Sequence, residues 1–139
     1  IEVAAGVALL PRGDGPLSPG RAEVLAALLD DATRPAVADC GRLDDPAVTA
    51  VASRASRSLL VTRSCFVALR RLRQSPVRAS GVVLVTEPGR VLSARDVEDA
   101  ADAPVLAVIP LDPQVARLVD AGLLTGRLPR SLHPLRAAA

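Results

Sequence analysis

The residue with the clearest chemical potential in this sequence is Asp39, which ends a short apolar run. The segment at 35–41 reads Pro-Ala-Val-Ala-Asp-Cys-Gly, so a strand there would stop at a carboxylate. A parallel strand delivers its last side chain to the carboxyl edge of the sheet, where α/β proteins bind ligands. Asp39 is therefore predicted as a ligand-site residue, the alternative being a cap on the segment that follows.

Two later strand ends carry residues that would meet that carboxylate at the same edge. Thr86 and Glu87 follow one apolar run, and Pro110, Leu111 and Asp112 follow the next. In a doubly wound sheet, loops at these positions form the pocket for a nucleotide base. Taken alone, the same residues favour ordinary loop punctuation. The nucleotide pocket is therefore a hypothesis. It requires that the fold bring Asp39 and the two later strand ends to the same edge of the sheet.

A loop that grips phosphate is not recognisable in the sequence. All 17 basic residues are Arg, and Lys does not occur. The glycines of 15–20 have the spacing of a phosphate loop, but Pro16 and Pro19 each remove a backbone N–H donor. Arg21 and Ala22 replace the Lys and the hydroxyl residue of such a loop. This segment is predicted to be a turn and a helix cap, and no catalytic residue is assigned.

Charge and aromatic content argue against strong nucleic-acid binding. The formal net charge is +2, and Phe66 is the one aromatic residue, so neither a polybasic field nor a stacking platform is available. The main basic cluster lies on a predicted helix, where Arg70 and Arg73 share a face at i, i+3 and Arg71 points elsewhere. Arg70 and Arg73 are candidate contacts for DNA or a protein partner, although a solvated helix face is the favoured alternative.

Cys40 and Cys65 stand alone, and His133 is the one histidine. The sequence favours buried thiols over a zinc site or a Cys nucleophile. Two such cysteines fit the reducing cytoplasm, although a single disulfide stays open. No apolar run approaches the ~20 residues of a membrane span, so no membrane anchor is recognised. The lack of Met, with Ile1 in first place, predicts a processed or excised piece.

The elements that must position these residues alternate between strand-like and helix-like stretches. Apolar runs predict strands at 3–10, 37–39, 58–62, 81–86 and 104–109. Capping residues predict helices that begin at Ser18, Asp44, Ser64, Ser93 and Asp112. The predicted fold class is α/β, with a mostly parallel sheet of about five strands and flanking helices. Residues 1–139 are predicted to form one domain, with a C-terminal tail at 123–139.

Four segments, taken together, resemble the C-terminal two-thirds of a MinD/ParA-like ATPase. They lie at 35–41, 58–72, 81–100 and 103–124. The resemblance is to actinobacterial septum-site-determining and CpaE-like members, which are linked to septum regulation and Tad pilus assembly. It covers nearly the whole chain and depends on the order and spacing of the segments, including the Ile-Pro-Leu-Asp that closes the last predicted strand.

The resemblance implies a P-loop NTPase-like three-layer sandwich of the SIMIBI type, here incomplete. Asp39 takes the Walker B position and holds Mg²⁺ through water, and the loops at 86–87 and 110–112 flank adenine. ATP and Mg²⁺ are implied for the complete parent, with neither expected to bind tightly to this chain alone. The implied role is septum-site selection, partitioning or pilus positioning through nucleotide-dependent protein contacts. The implied partners are a second copy or an N-terminal P-loop segment, and proteins of a division or pilus system.

The chain departs from that family in several places. The Walker A loop with its Lys would lie upstream of Ile1. Thr86 and Glu87 stand where many members read adenine with Asn, and the membrane-binding helix is not recognisable at 131–139. A sheet without its P-loop strand exposes unpaired edges. The chain alone is therefore predicted to be inactive in ATP hydrolysis, and to dimerise, aggregate or take up an N-terminal segment.

Two other classes of α/β protein fit the sequence less well. A receiver-like or other flavodoxin-like regulatory domain needs an acidic cluster near its first strand and usually a Lys after its fifth, whereas Glu2 stands alone and Lys is missing. A Rossmann-like enzyme needs a glycine fingerprint at its first turn, which the segment at 13–20 does not match. The non-catalytic regulatory domain is the alternative that stays open.

Overall fold

Three parallel strands form the centre of the fold. The computed structural model describes residues 1–4, 6–13 and 15–138. In chain order its elements are β1 Glu2–Ala4, β2 Val7–Ala8, α1 Pro19–Asp30, α2 Pro46–Arg54, β3 Leu59–Arg63, α3 Phe66–Arg73, β4 Gly81–Thr86, α4 Ala94–Ala101, β5 Val105–Pro110, α5 Pro113–Asp120 and a terminal 3₁₀ helix, Arg130–Ala137. Strands β3, β4 and β5 pair in that order as a parallel sheet, so the α/β class is confirmed.

The apolar run at 3–10 does not join this sheet. It folds back on itself as the antiparallel pair β1–β2, in which Glu2 lies opposite Ala8. Gly6, with φ +76°, supplies the left-handed backbone that such a reversal favours. Five strands are present among the described residues, but only three of them lie in the parallel sheet. The prediction of a parallel sheet of about five strands is wrong to that extent.

The predicted strand at 37–39 is also wrong. The described residues 35–42 lie in neither a helix nor a strand, and Val37 is 98% exposed. The apolar run consists only of Ala, Val and Ala at 36–38, before Asp39, so it has little apolar surface to bury. Pro35 in addition lacks a backbone N–H to donate to a neighbouring strand. Asp39 is therefore not held at the end of a sheet strand, which removes the premise that placed it beside the later strand ends.

Helix starts follow the predicted caps more closely. The capping side chains are Ser18, Asp45, Ser93 and Asp112, which accept backbone N–H groups in the first turns of α1, α2, α4 and α5. At α4 the cap is reciprocal, because Asp96 also accepts the backbone N–H of Ser93 at 2.7 Å. At α3 the N-cap is Cys65 rather than Ser64, and it forms no side-chain capping bond.

One face of the parallel sheet carries the main core. Helices α3 and α4 pack together over it. The buried residues of this core are Leu69, Leu72, Val82, Leu84, Val97, Ala100 and Ala103. Because β4 is the middle strand and contributes two of them, it is the element that binds the helical layer to the sheet.

The opposite face is covered only in part. The 3₁₀ helix of the tail packs against β5, and Ala138 is buried with Val83 and Ala107. On the same face β3 carries Val61, which is 70% exposed, and within the described chain no strand pairs with the outer edge of β3. The tail is thus part of the packed unit, whereas the β3 side of the sheet is left bare.

Helices α1 and α2 form a small core of their own. Ala22 and Ala26 of α1 pack against Ala47 and Val51 of α2. An ion pair joins the ends of the two helices, with Arg54 Nε donating to an Asp30 carboxylate oxygen at 3.1 Å. This helical pair carries the irregular segment 35–42 between its two members, so Asp39 belongs to that unit.

Gly81 is expected to be intolerant of a side chain. A Cβ there would lie 2.6 Å from Leu106 Cγ, so the Leu106 side chain or the strands themselves would have to shift. Gly81→Ala should lower the free energy of unfolding by about 1–3 kcal/mol, the usual cost of overpacking. Urea denaturation measures the change. Gly126→Ala is the matched control, because its Cβ would meet nothing closer than Leu123 O at 3.9 Å; equal effects of the two variants would contradict the packing argument.

Candidate functional site

The carboxyl ends of β4 and β5 lie side by side, as the sequence predicts. Thr86 is in register with Pro110. The backbone N–H of Leu111 donates to Thr86 O at 2.8 Å, and Thr86 Oγ1 donates to Ile109 O at 3.4 Å. Three of the residues predicted for a nucleotide pocket, Thr86, Pro110 and Leu111, are thus brought together. The Thr86 hydroxyl and the Leu111 backbone N–H are used to join the two strands.

Glu87 is held between two guanidinium groups. Its side chain is only 15% exposed. One carboxylate oxygen pairs with Arg63 at the end of β3, and the other accepts Arg90 Nε at 2.9 Å. Charge-assisted contacts of this kind are among the stronger hydrogen bonds in proteins. The centre of the sheet edge is therefore a compact Arg–Glu–Arg cluster with a net charge of +1, which is called the edge cluster below.

The two arginines of the edge cluster were not among the predicted site residues, although the sequence contains the signals for them. Arg63 directly follows one apolar run and Glu87 follows the next, so parallel pairing places them at the same edge. Arg90 lies three residues after Glu87 in a turn, where Gly89 adopts φ +77°. That turn brings the Arg90 side chain back onto the carboxylate.

Both carboxylate oxygens of Asp112 accept hydrogen bonds within the chain. Its Oδ1 accepts the backbone N–H of Gln114 at 2.8 Å and caps α5, and its Oδ2 accepts the Ser131 hydroxyl at 2.7 Å. The Ser131 bond is the main reason that the pKa of Asp112 lies below its ordinary value, with the Gln114 bond and Arg117 adding to it. Asp112 therefore ties the tail to the start of α5, close to the sheet edge.

The Ser131–Asp112 bond should give the tail a pH-dependent contribution to stability. Because the folded pKa of Asp112 is lowered, the contribution is present above the unfolded value of about 3.9 and is lost as pH falls through the folded value. Ser131→Ala should lower the melting temperature at neutral pH, and its difference from the unsubstituted chain should shrink below about pH 4.

Thermal melts over a pH series test this. Ser75→Ala is the control, because that hydroxyl donates to the backbone oxygen of Val77 and to no carboxylate. The Ser75→Ala difference should not follow the same pH dependence. A Ser131→Ala difference that stays constant through the acid range would contradict the assignment.

Asp39 lies in a separate, open hollow of about 510 Å³. Its Oδ1 accepts the backbone N–H of Gly41 at 2.9 Å. The residues that line the hollow are Arg12, Asp39, Cys40, Gly41, Arg42, Asp44 and Asp45, and none of them belongs to the sheet edge. Burial, with a smaller effect of the Asp39 charge, raises the pKa of the Cys40 thiol. The structure thus places Asp39 apart from the loops at 86–87 and 110–112.

Three aspartates line the hollow, and carboxylate oxygens are the ligands that a magnesium site needs. Two of its three aspartates are already paired, Asp44 with Arg42 at 2.8 Å and Asp45 with Arg12 at 3.5 Å. Among the residues that the structure describes, no group of three or more His, Cys, Asp or Glu side chains is placed to hold a metal ion. Mg²⁺ prefers several oxygen ligands in octahedral geometry. The described residues around Asp39 do not fit that requirement.

Arg70 and Arg73 lie away from the edge cluster, on α3. Both line a groove between α3 and α4, and Arg71 does not, so the predicted shared face is confirmed. Asp96 and Asp99 of α4 line the same groove. Whether Arg70 and Arg73 contact a partner stays a prediction at this point.

Comparisons with known proteins leave the site to be interpreted from its own geometry. No protein family, curated protein or solved structure matches the chain. Within the described ranges, no helix combines the length and the apolar character needed to cross a membrane. The resemblance to MinD/ParA-like ATPases therefore stays a hypothesis.

Proposed function

We propose that this chain is a MinD/ParA-like α/β domain that works through protein contacts and does not hydrolyse ATP. It is either the C-terminal part of a positioning ATPase of septum, partitioning or pilus systems, or a degenerate relative of one. The observation that carries the proposal is the state of the sheet edge. The strand ends that would flank a nucleotide are juxtaposed, but the partly buried carboxylate of Glu87 is paired with Arg63 and Arg90.

Phosphoryl transfer needs cations that are free to stabilise charge on the transferred group. At this edge Arg63 and Arg90 are engaged by Glu87. The metal-binding role proposed for Asp39 would require that residue to reach the same edge, and its hollow is lined by other loops. The arrangement therefore favours a structural edge over a catalytic one.

The finer fold assignment, an incomplete P-loop NTPase-like sandwich, is part of the same proposal. It is supported by the β3–α3–β4–α4–β5 order and by the bare outer side of β3. In the complete parent, an N-terminal P-loop segment would add its strand there and supply the phosphate site. ATP and Mg²⁺ belong to that parent in this proposal. The partners are a second copy or such a segment, and proteins of a division or pilus system.

A phosphate-release assay with ATP and Mg²⁺ on the purified chain tests the proposal. We expect no turnover above that of heat-denatured protein. Asp39→Ala and Asp44→Ala form a matched pair, because both remove an aspartate from the same hollow but only Asp39 is the proposed metal ligand. Turnover that is lost in Asp39→Ala and kept in Asp44→Ala would overturn the proposal and favour a catalytic site.

A further inference from the structure

A groove lies between α3 and α4, and none of its lining residues belongs to the edge cluster. It has a volume of about 420 Å³. Leu69 and Leu92 form its apolar floor, and both are at least partly buried by the main core. The α3 rim carries Arg70 and Arg73, and the α4 rim carries Asp96 and Asp99. One wall is therefore basic and the facing wall is acidic.

Among the described residues, no ion pair joins the two walls. Among the described residues, neither Arg70 nor Arg73 forms an ion pair, and Asp99 forms none either. Asp96 is partly engaged, because it accepts the hydroxyl of Ser93 at 2.7 Å. Three charged groups thus face the groove with their pairing capacity unused.

Phe66 points to the same surface. It is the one aromatic residue in the sequence, it is 80% exposed, and it lines the end of this groove at the first residue of α3. Its neighbour Val67 is also exposed. Aromatic and Arg side chains are the residue types that most often anchor protein interfaces. An exposed Phe beside Arg70 therefore marks this groove as a contact surface.

We propose that the occupant of this groove is the α3–α4 surface of a second copy of the chain. A two-fold axis would set the basic wall of each copy against the acidic wall of the other, so that Arg73 meets Asp99 twice. Interfaces of this kind are self-complementary by symmetry. The apolar floor and Phe66 would form the centre of the interface, with the charged rims around it.

Charge spacing is the argument for a second copy over an unrelated partner. Arg70 and Arg73 are three residues apart on one helix, and Asp96 and Asp99 are three residues apart on the other. Both pairs therefore span about 4.5 Å along their helix axes. A copy of this chain supplies both walls with matching spacing and opposite sign. A nucleic acid would meet the acidic wall as well as the basic one, and like charges repel.

This inference rests on the proposed role in protein contacts and names one such contact. It needs neither nucleotide nor the bare edge of β3. Its test measures the molecular mass of the chain in solution without nucleotide. Dimerisation can therefore be absent even if the chain does not hydrolyse ATP, and it can be present even if the chain does.

The experiment is sedimentation equilibrium of the full chain over a concentration series. We expect reversible dimerisation that weakens by about tenfold or more in Arg73→Asp and in Asp99→Arg, because each puts like charges opposite each other. An equimolar mixture of the two variants should recover dimers, since both contacts between unlike copies are then complementary. Asp96 is left unchanged because it caps α4. Recovery of dimers in the mixture would also show that both variants are folded, because mixing two misfolded variants would not restore dimerisation.

Controls separate this surface from the others. Arg127→Asp and Asp120→Arg reverse exposed charges outside the groove and should leave the dimer unchanged. Val61→Lys, on the bare face of β3, should do the same. The proposal would be overturned if the chain stays monomeric. It would also be overturned if the dimer survives both charge reversals in the groove, or if Val61→Lys abolishes it. Tight DNA binding that disappears when Arg70 and Arg73 are both changed to Ala would overturn it too.

Discussion

Shortening Leu84 to Ala is expected to lower the free energy of unfolding by about 3 kcal/mol. Leu84 is 2% exposed and lies in the middle strand of the sheet, where it belongs to the core under α3 and α4. Its truncation removes apolar contacts and leaves a cavity between the strand and both helices. Because small domains are stable by only about 5–15 kcal/mol, this is a large fraction of the total.

Urea denaturation followed by circular dichroism measures the effect. Val61→Ala is the matched control, because Val61 lies on the neighbouring strand but is mostly exposed, and its change should stay within about 0.5 kcal/mol. A loss below about 1 kcal/mol for Leu84→Ala would mean that the site collapses to fill the cavity. The sheet and the helical layer would then be packed more loosely than the burial of Leu84 indicates.

The parts of the fold that could be predicted are those in which local signals agree with one another. The strand over 81–86 is a run of β-branched and Leu residues that begins at a glycine and ends before Glu87 and Pro88, and its observed bounds are the predicted ones. The α4 start is similar, because Ser93 and Asp96 cap each other through local bonds. Neither feature depends on distant residues.

The segment at 37–39 shows where local pattern is insufficient. Its Val-Ala-Asp sequence resembles the end of a buried strand, but a strand needs a neighbour to pair with, and none of the described strands pairs with it. The preceding helix α1 packs on α2 instead, through alanines whose low bulk permits close approach. The packing of α1 on α2 therefore determines where Asp39 lies. Residue spacing within the sequence does not predict that packing.

The edge cluster illustrates an intermediate case. Parallel pairing puts the ends of β3 and β4 side by side, so the proximity of Arg63 and Glu87 follows once the strands are known. The sequence does not contain the orientation of the two side chains. Nor does it show that the turn at Gly89 returns Arg90 to the same carboxylate.

Removing the Glu87 carboxylate is expected to destabilise the chain and to create an anion-binding edge. Glu87→Ala leaves two guanidinium groups close together without their shared counter-charge. The burial of these two ion pairs is intermediate, because the Glu87 side chain is 15% exposed whereas those of Arg63 and Arg90 are about half exposed. The loss should therefore be about 2 kcal/mol, between the small effect of surface pairs and the 3–5 kcal/mol of buried ones.

Phosphate gives this prediction a second readout. In the unsubstituted chain Glu87 competes for both arginines, so inorganic phosphate should change the melting temperature little. In Glu87→Ala and Glu87→Gln the freed arginines should bind phosphate, and melting temperature should rise with phosphate concentration. Adding Arg63→Ala to Glu87→Ala should remove most of that rise. Chloride at equal ionic strength is the control for screening, since salt alone weakens partly exposed ion pairs.

The outcome bears directly on the proposed function. If Glu87 only neutralises the edge, its removal exposes a latent phosphate site, which is what a non-hydrolysing relative of a nucleotide-binding domain would retain. The proposal predicts stabilisation by phosphate in the two Glu87 variants and not in Asp39→Ala, because Asp39 lies in a different hollow. Equal phosphate stabilisation of the unsubstituted chain would show that the arginines are already free. The edge would then be a functional anion site, and the structural interpretation of Glu87 would be wrong.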